Sequence, residues 1–270
     1  MEDYYEFTIL GCGSSPGVPR SNGEWGACNP KNLKNRRYRA ALLIERFNKN
    51  GEKTTIVVDT GPDFRSQMID AQVHNIDAVI YTHAHADHIH GIDDLRSYVI
   101  AQKQLMNIYA DDATFKRMND AFGYCFQTPL GSNYPPILQH NRIESYQKFT
   151  IKGQGGVVNI LPVLQIHGDI NSLGFRVGNV AYCTDVNEFP DKTPDYLLNL
   201  DVLIIDALQY KPHASHFSVD QALEWIKKLK PKRAILTHMH IALDYDAVMD
   251  YTPENVEPAY QGLKFRSACI

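Results

Sequence analysis

An apolar run at residues 78–81 leads straight into Thr82-His83-Ala84-His85-Ala86-Asp87-His88, and no other stretch restricts the fold so much. A strand that stops on a row of imidazoles and a carboxylate has to open onto a shared polar pocket. If the segment stays extended, His83 and His85 share one face, because side chains repeat every second residue along a strand. The small Ala84 and Ala86 leave room for a tight turn that brings Asp87 and His88 round. Four of the eleven histidines fall within residues 83–90. Imidazole nitrogen with carboxylate oxygen suits zinc, manganese or iron and needs no thiolate. The pairs His83/His85 and Asp87/His88 are therefore expected to serve two adjacent metals. A solvated, His-rich loop is the plainer alternative, but such loops do not usually end an apolar strand and begin a helix.

Two metals need more than four ligands. His167 follows the apolar run 161–166, Asp185 follows 180–184, and His238 and His240 follow 234–236. Taken singly, each reads equally well as a structural polar group, since a strand-ending Asp often caps a helix and a lone His is often a satisfied core residue. Their common position after strands is what points to a site.

The rest of the chain supplies the frame. Strands are expected at 7–11, 78–81, 108–110, 157–166, 173–177, 180–184, 202–206 and 234–237, with a hairpin from 40–46 and 54–59. Helical patterns occupy 63–71, 92–104, 196–200 and 218–229, the last with Ser218 as its cap, and 122–140 has no clear period. Strand-rich halves that each carry helices predict an α/β fold of two packed sheets with helices outside. Neither a linker nor a repeat divides the sequence, so one domain over 1–270 is expected.

Bulk properties remove several function classes. A net charge of −4 offers no basic surface for a long nucleic acid, whose binding is dominated by phosphate neutralisation. The basic run at 31–39 is expected to be a solvated loop. Five cysteines, Cys12, Cys28, Cys125, Cys183 and Cys269, form no CxxC pair, and no cationic leader precedes the acidic start MEDYYEFTIL. A reducing cytoplasm is the expected setting. No apolar run approaches the roughly 20 residues that span a bilayer.

THAHADH resembles the HxHxDH signature of the metallo-β-lactamase superfamily. LGCGSSPGVPR, VDTGPDFRSQM, AYCTD, SHFSVDQALEW, LTHMHIALDY and VEPAYQGL are more narrowly similar to the phosphoribosyl cyclic phosphate phosphodiesterase, or PhnP-like, family over nearly the whole chain. The resemblance implies an αββα sandwich of two mixed sheets with the metals at one edge. It implies that His83, His85 and His167 hold one metal, that Asp87, His88 and a C-terminal His hold the other, and that Asp185 bridges them. For the C-terminal ligand, MHIALDY favours His240 over His238. A hydroxide shared by two divalent ions, zinc or manganese, would be the nucleophile, and the same ions would neutralise charge building on a phosphoryl group. His216 matches the histidine that acts as general acid in the family, with His213 nearby. His90 and Asp94 are expected to orient ligands, and His74 and His140 to be surface or structural residues.

The sequence departs from the family at two places. Some members carry a cysteine cluster for a separate structural zinc, but here Gly23 and Trp25 replace two of those positions and Cys28 alone remains. A lone thiol cannot complete such a site, so no third zinc is expected and packing by Trp25 should hold the loop. Gln261 stands where an acid is usual. The expected activity is hydrolysis of a small cyclic phosphate, of the 5-phosphoribosyl 1,2-cyclic phosphate or 2',3'-cyclic nucleotide type, by a possible homodimer. RNase Z-like tRNA processing would favour a protruding basic arm, which is not evident. A non-catalytic binding module would favour loss of ligands, and none is lost. β-Lactam hydrolysis fits poorly with Asp87 on the second metal.

Overall fold

Successive residues of the first strands go to two different apolar layers. Phe7, Ile9, Leu42, Ile44, Ile56 and Val58 enter one core, while Leu10, Leu43 and Val57 enter another. This two-residue alternation is what a sheet covered on both faces requires. The computed structural model describes residues 2–190 and 192–269. In chain order the strands are β1 (Tyr4–Gly11), β2 (Ala41–Phe47), β3 (Lys53–Val58), β4 (Ala78–Ile80), β5 (Met106–Ala110), β6 (Leu138–Arg142) and β7 (Phe149–Gly153). There follow β8 (Gly156–His167), β9 (Ile170–Val177), β10 (Val180–Cys183), β11 (Val202–Asp206), β12 (Arg233–Thr237), β13 (Val256–Pro258) and β14 (Lys264–Ala268). The helices are α1 (Phe64–Asp70), α2 (Ala86–Ile89), α3 (Arg96–Gln102), α4 (Asp112–Phe122), α5 (Thr193–Tyr196), α6 (Val219–Leu229) and α7 (Tyr245–Tyr251).

The strands build two 7-stranded sheets, in the orders β14-β1-β2-β3-β4-β5-β6 and β13-β12-β11-β10-β9-β8-β7. Both are mixed. In the first, β3 to β6 run parallel and the pairs β14-β1, β1-β2 and β2-β3 antiparallel; in the second, β10 to β13 run parallel and β7 to β10 antiparallel. One core lies between the sheets and contains Phe7 and Ile44 of the first with Val163 and Phe175 of the second. The other sits under Phe64, Met68 and Met118 of α1 and α4. On the far side Ala222 and Ile226 of α6 and Val248 of α7 close the second sheet. This is the expected αββα sandwich.

Two local expectations shift, and one helix went unread. The pattern at 92–104 splits into a 3-10 turn, Ile92–Leu95, and α3. The helix expected at 196–200 lies earlier, as α5, where Pro194 in the first turn already has helical φ. Helix α4 escaped the apolar pattern because only Thr114 and Met118 are buried; its signal is the cap, where the Asp111 carboxylate accepts from the Thr114 amide at 2.8 Å.

The loop joining β1 to β2 is held by its own small core of Val18, Cys28 and Ile241, against which Trp25 packs. The basic run at 31–39 is solvated in part, as its composition suggested, with Lys31, Lys34 and Arg36 exposed, but two of its arginines turn inward. Arg37 is fully buried and donates to the His240 carbonyl at 3.4 Å, Arg39 pairs with Asp63 at 3.1 Å, and Lys34 donates to the Tyr245 hydroxyl at 3.1 Å. Of its five cations, only Arg37 is buried.

Candidate metal centre

All the clustered side chains leave the C-terminal ends of strands. Asp59 follows β3, the histidine segment follows β4, His167 ends β8, Asp185 follows β10, Asp206 ends β11 and His238 follows β12. Parallel pairing of β3 with β4 and of β10, β11 and β12 places their ends on one edge of each sheet, β8 runs the same way through two antiparallel steps across β9, and packing of the sheets brings the two edges together. Asp87 and His88 lie on the short α2, for which His85 is the N-terminal boundary. Two glycines permit the approach of the β3–α1 loop to this turn. A Cβ on Gly61 would sit 2.1 Å from the Asp87 carbonyl, and one on Gly91 would sit 2.3 Å from that of Gly61. Asp59, Asp185 and His238 have φ of 66°, 55° and 59°, a costly conformation for residues with side chains, concentrated here at the site.

Donor atoms of His83, His85 and His167 lie within 4.8 Å of one another, and so do those of Asp87, His88, Asp185 and His238. Asp185 joins the groups with one oxygen each. Its Oδ1 is 3.9 Å from His83 Nε2 and 3.8 Å from His167 Nε2, while its Oδ2 is 3.2 Å from His88 Nε2 and 3.1 Å from His238 Nδ1.

Partners behind the rings fix which nitrogen faces inward. His88 Nδ1 donates to Asp59 Oδ2 at 2.7 Å, and His167 Nδ1 donates to the Ser215 carbonyl at 2.6 Å. The Thr82 hydroxyl donates to Asp59 at 2.8 Å and so accepts from His83 Nδ1 at 3.0 Å. In all three rings the Nε2 lone pair is left to face the cluster, as a metal ligand requires. His83 Nε2, His88 Nε2 and Asp87 Oδ2 are buried without a hydrogen-bond partner. Buried polar atoms are rarely left so, and these are the atoms a divalent cation would take. The donor set and these orphaned atoms fit two such ions.

Charge points the same way. Burial, aided by repulsion from His88, drives His83 well below the ordinary histidine range, and burial also lowers His167. Burial would lower His88 too, but Asp185, Asp87 and Asp59 around it raise it well above normal, so these carboxylates favour positive charge at its Nε2, which a proton or, in its place, a metal ion can supply. Burial would raise Asp185 and Asp87, yet the neighbouring imidazoles pull both down. So many buried carboxylates stay ionised only beside concentrated positive charge.

His216 stands at the margin, its ring 4.6 Å from that of His167 and 4.7 Å from that of His238. Its Nδ1 lies 2.7 Å from Asp206 Oδ2. Burial would lower its pKa, but Asp206 and then Asp185 and Asp87 push it up to about 9. His213 is exposed, with its Nδ1 accepting from the Ser215 amide at 3.3 Å.

The C-terminal assignment has to be corrected: His238, not His240, joins the second group. The turn after β12 gives His238 its left-handed backbone and points it at Asp185, whereas His240, two residues on, meets Arg20 at 2.7 Å. His90 and Asp94 do not orient ligands either. His90 is exposed and packs on Phe122, and Asp94 is exposed on the 3-10 turn. His74 is exposed, and His140 lies against the Ala110 carbonyl and stacks on Phe115. The supporting residues Asp59, Thr82 and Asp206 were not singled out from the sequence. Asp59 and Asp206 carry the same signal that marked Asp185, an acid at the end of an apolar run.

Residues 54–239 match the model described as the beta-lactamase superfamily domain. A solved structure described as a new diphosphatase from the PhnP family superposes with a TM-score of 0.87 at 31% identity, covering 99% of each chain. The metallo-β-lactamase fold protein YhfI from Bacillus subtilis superposes at 0.73 with 19% identity, covering 98% of this chain and 100% of its own. An octanoyltransferase of Porphyromonas gingivalis (strain ATCC BAA-308 / W83) is 29% identical over 260 residues, 95% of this chain. The chain spans only 50% of that relative's length.

Proposed function

The chain belongs to the metallo-β-lactamase superfamily, as a hydrolase with a buried His/Asp metal-site cluster, and on that premise we propose that it is a dinuclear phosphodiesterase acting on a small cyclic phosphate. The 5-phosphoribosyl 1,2-cyclic phosphate and 2',3'-cyclic nucleotide types are the candidate substrates. The observation that carries this reading is the Asp185 carboxylate, which turns one oxygen to each histidine group. His83, His85 and His167 would hold one ion and Asp87, His88 and His238 the other, with Asp185 between them. Zinc or manganese bound there would supply a nucleophile from water at neutral pH and balance charge on the phosphoryl oxygens.

The chain's own residues do the remainder. Asp206 occupies Nδ1 of His216 and keeps the imidazole protonated, which leaves Nε2 to hand a proton to the departing sugar oxygen. Beside His216 and His238 lies a cavity of about 210 Å³, walled by Ser14, Pro16 and Leu208. No helix among the described residues is long and apolar enough to cross a membrane.

Metal-loaded protein should turn over bis(p-nitrophenyl) phosphate and at least one 2',3'-cyclic nucleotide or ribose cyclic phosphate, and leave precursor tRNA intact. Cleavage of none of these with two metal equivalents bound would overturn the reading.

A further inference from the structure

The wall of the substrate cavity carries two polar groups that the bond-breaking chemistry does not use. Residues 12–14 run beside Met239: the Met239 amide donates to the Cys12 carbonyl at 2.8 Å, and the Ser14 amide to the Met239 carbonyl at 3.3 Å. Gly13 and Met239 thus form a parallel bridge. Side chains alternate along extended chains. Met239 goes into the core, so Ser14 and His240, one residue further on in each segment, turn together to the opposite face. That face is the cavity, which both of them line beside His216 and His238.

Hydrogen-bond directions are fixed there. Arg20 Nη2 lies 2.7 Å from His240 Nε2. A guanidinium only donates, so Nε2 accepts and the ring carries its one proton on Nδ1. That Nδ1 is buried without a partner, and so is the Oγ of Ser14, which is 2% exposed. Buried polar atoms are seldom left unpaired, and here two of them belong to one wall. The ring offers a donor, and the hydroxyl offers a donor or an acceptor. A ligand hydroxyl can accept from the first and donate to the second. Among the described residues no lysine, arginine or carboxylate lines the cavity, so the group it fits is uncharged.

We propose that Ser14 Oγ and His240 Nδ1 together bind a sugar hydroxyl of the substrate and so turn its departing oxygen toward His216. Arg20 does not touch the substrate; it sets the tautomer of His240. The Gly17 amide, donating to the Ser14 carbonyl at 2.7 Å, closes the turn that holds Ser14. Both groups are in place before the substrate arrives, so binding costs little ordering. This inference rests on the phosphodiesterase reading of the same cavity.

Adenosine 2',3'-cyclic phosphate and ethylene cyclic phosphate share the scissile five-membered ring, and only the first carries a sugar. In Ser14→Ala the ratio of kcat/KM for the first over the second should fall about 3- to 10-fold, the worth of one neutral hydrogen bond, with two metal equivalents still bound. His240→Gln, whose amide reaches Arg20 but not the place of Nδ1, should lower the ratio by a similar factor. His240→Asn, whose amide nitrogen takes the place of Nδ1, should restore most of it. An unchanged ratio in Ser14→Ala, equal loss on both diesters, or Gln serving as well as Asn overturns the proposal while the hydrolase reading stands. Nitrogen NMR of labelled, zinc-loaded protein should find the His240 proton on Nδ1, and a proton on Nε2 overturns the proposal as well. Calorimetric binding of adenosine 3'-monophosphate to metal-loaded protein separates the two readings. Binding weakened about 3-fold or more by Ser14→Ala supports the hydroxyl site even if no diester is cleaved, and equal binding overturns it.

Discussion

The two sheets contribute to the metal centre in different ways. The first supplies His83, His85, Asp87 and His88 from one short segment after β4, with Asp59 behind them. The second supplies single residues from separate strand ends, namely His167, Asp185, Asp206 and His238, and His216 from the loop before α6. The first half is a local structure, set by one strand and one tight turn. The second exists only when β8, β10, β11 and β12 are paired in register. Either half alone has too few donors for two ions, and Asp185 is the atom pair through which they meet. A site divided in this way couples metal binding to the packing of one sheet on the other.

The strongest way to break this comparison is at Asp185. Asp185→Ala removes the one carboxylate shared by both groups, so elemental analysis should show loss of both metals and activity should fall by at least roughly 10³-fold. Retention of two equivalents would mean that each half is self-sufficient. His216→Ala tests the margin of the second half. It should keep both metals while kcat falls about 10²- to 10⁴-fold. The acid form of His216 exists below its raised pKa of about 9, so activity should be lost as pH rises through that region, or somewhat lower with cations alongside. Asp206→Asn removes the neighbour that raises it and should move this basic limb to lower pH, by about 1 unit or more.

Two smaller effects sharpen the contrast. His238→Ala should lose one metal equivalent, whereas His240→Ala should keep two, since His240 lies on Arg20. The reverse result would restore the assignment read from MHIALDY. Asp59→Asn acts behind the local half. The His88 and Thr82 contacts would weaken, and metal affinity measured by chelator competition should fall about 10- to 100-fold.

How far the site was legible follows from the same division. Residues 83–88 could be read because the periodicity of a strand and the chemistry of imidazole act within a few residues. His167 and Asp185 were visible as polar groups that end apolar runs, and the resemblance gave them an order. Asp59 and Asp206 carried that mark too, but nothing in the sequence says that one lies behind His88 and the other behind His216. Within the basic run at 31–39, Arg37 and Arg39 could not be told from the solvated Lys31 and Arg36, because sequence shows charge without showing partners.

By itself the sequence determined the two-layer alternation of β1 to β3, the α/β sandwich, and a strand that ends on His83, His85, Asp87 and His88. The tertiary structure decided between His238 and His240. Both follow β12 by similar distances in the chain, and both are imidazoles. The choice rests on a left-handed backbone at His238 that aims the first at Asp185, and on a loop from the far end of the chain that brings Arg20 to the second. Local chemistry set what each residue could bind, and only the packing of distant segments set what each one meets.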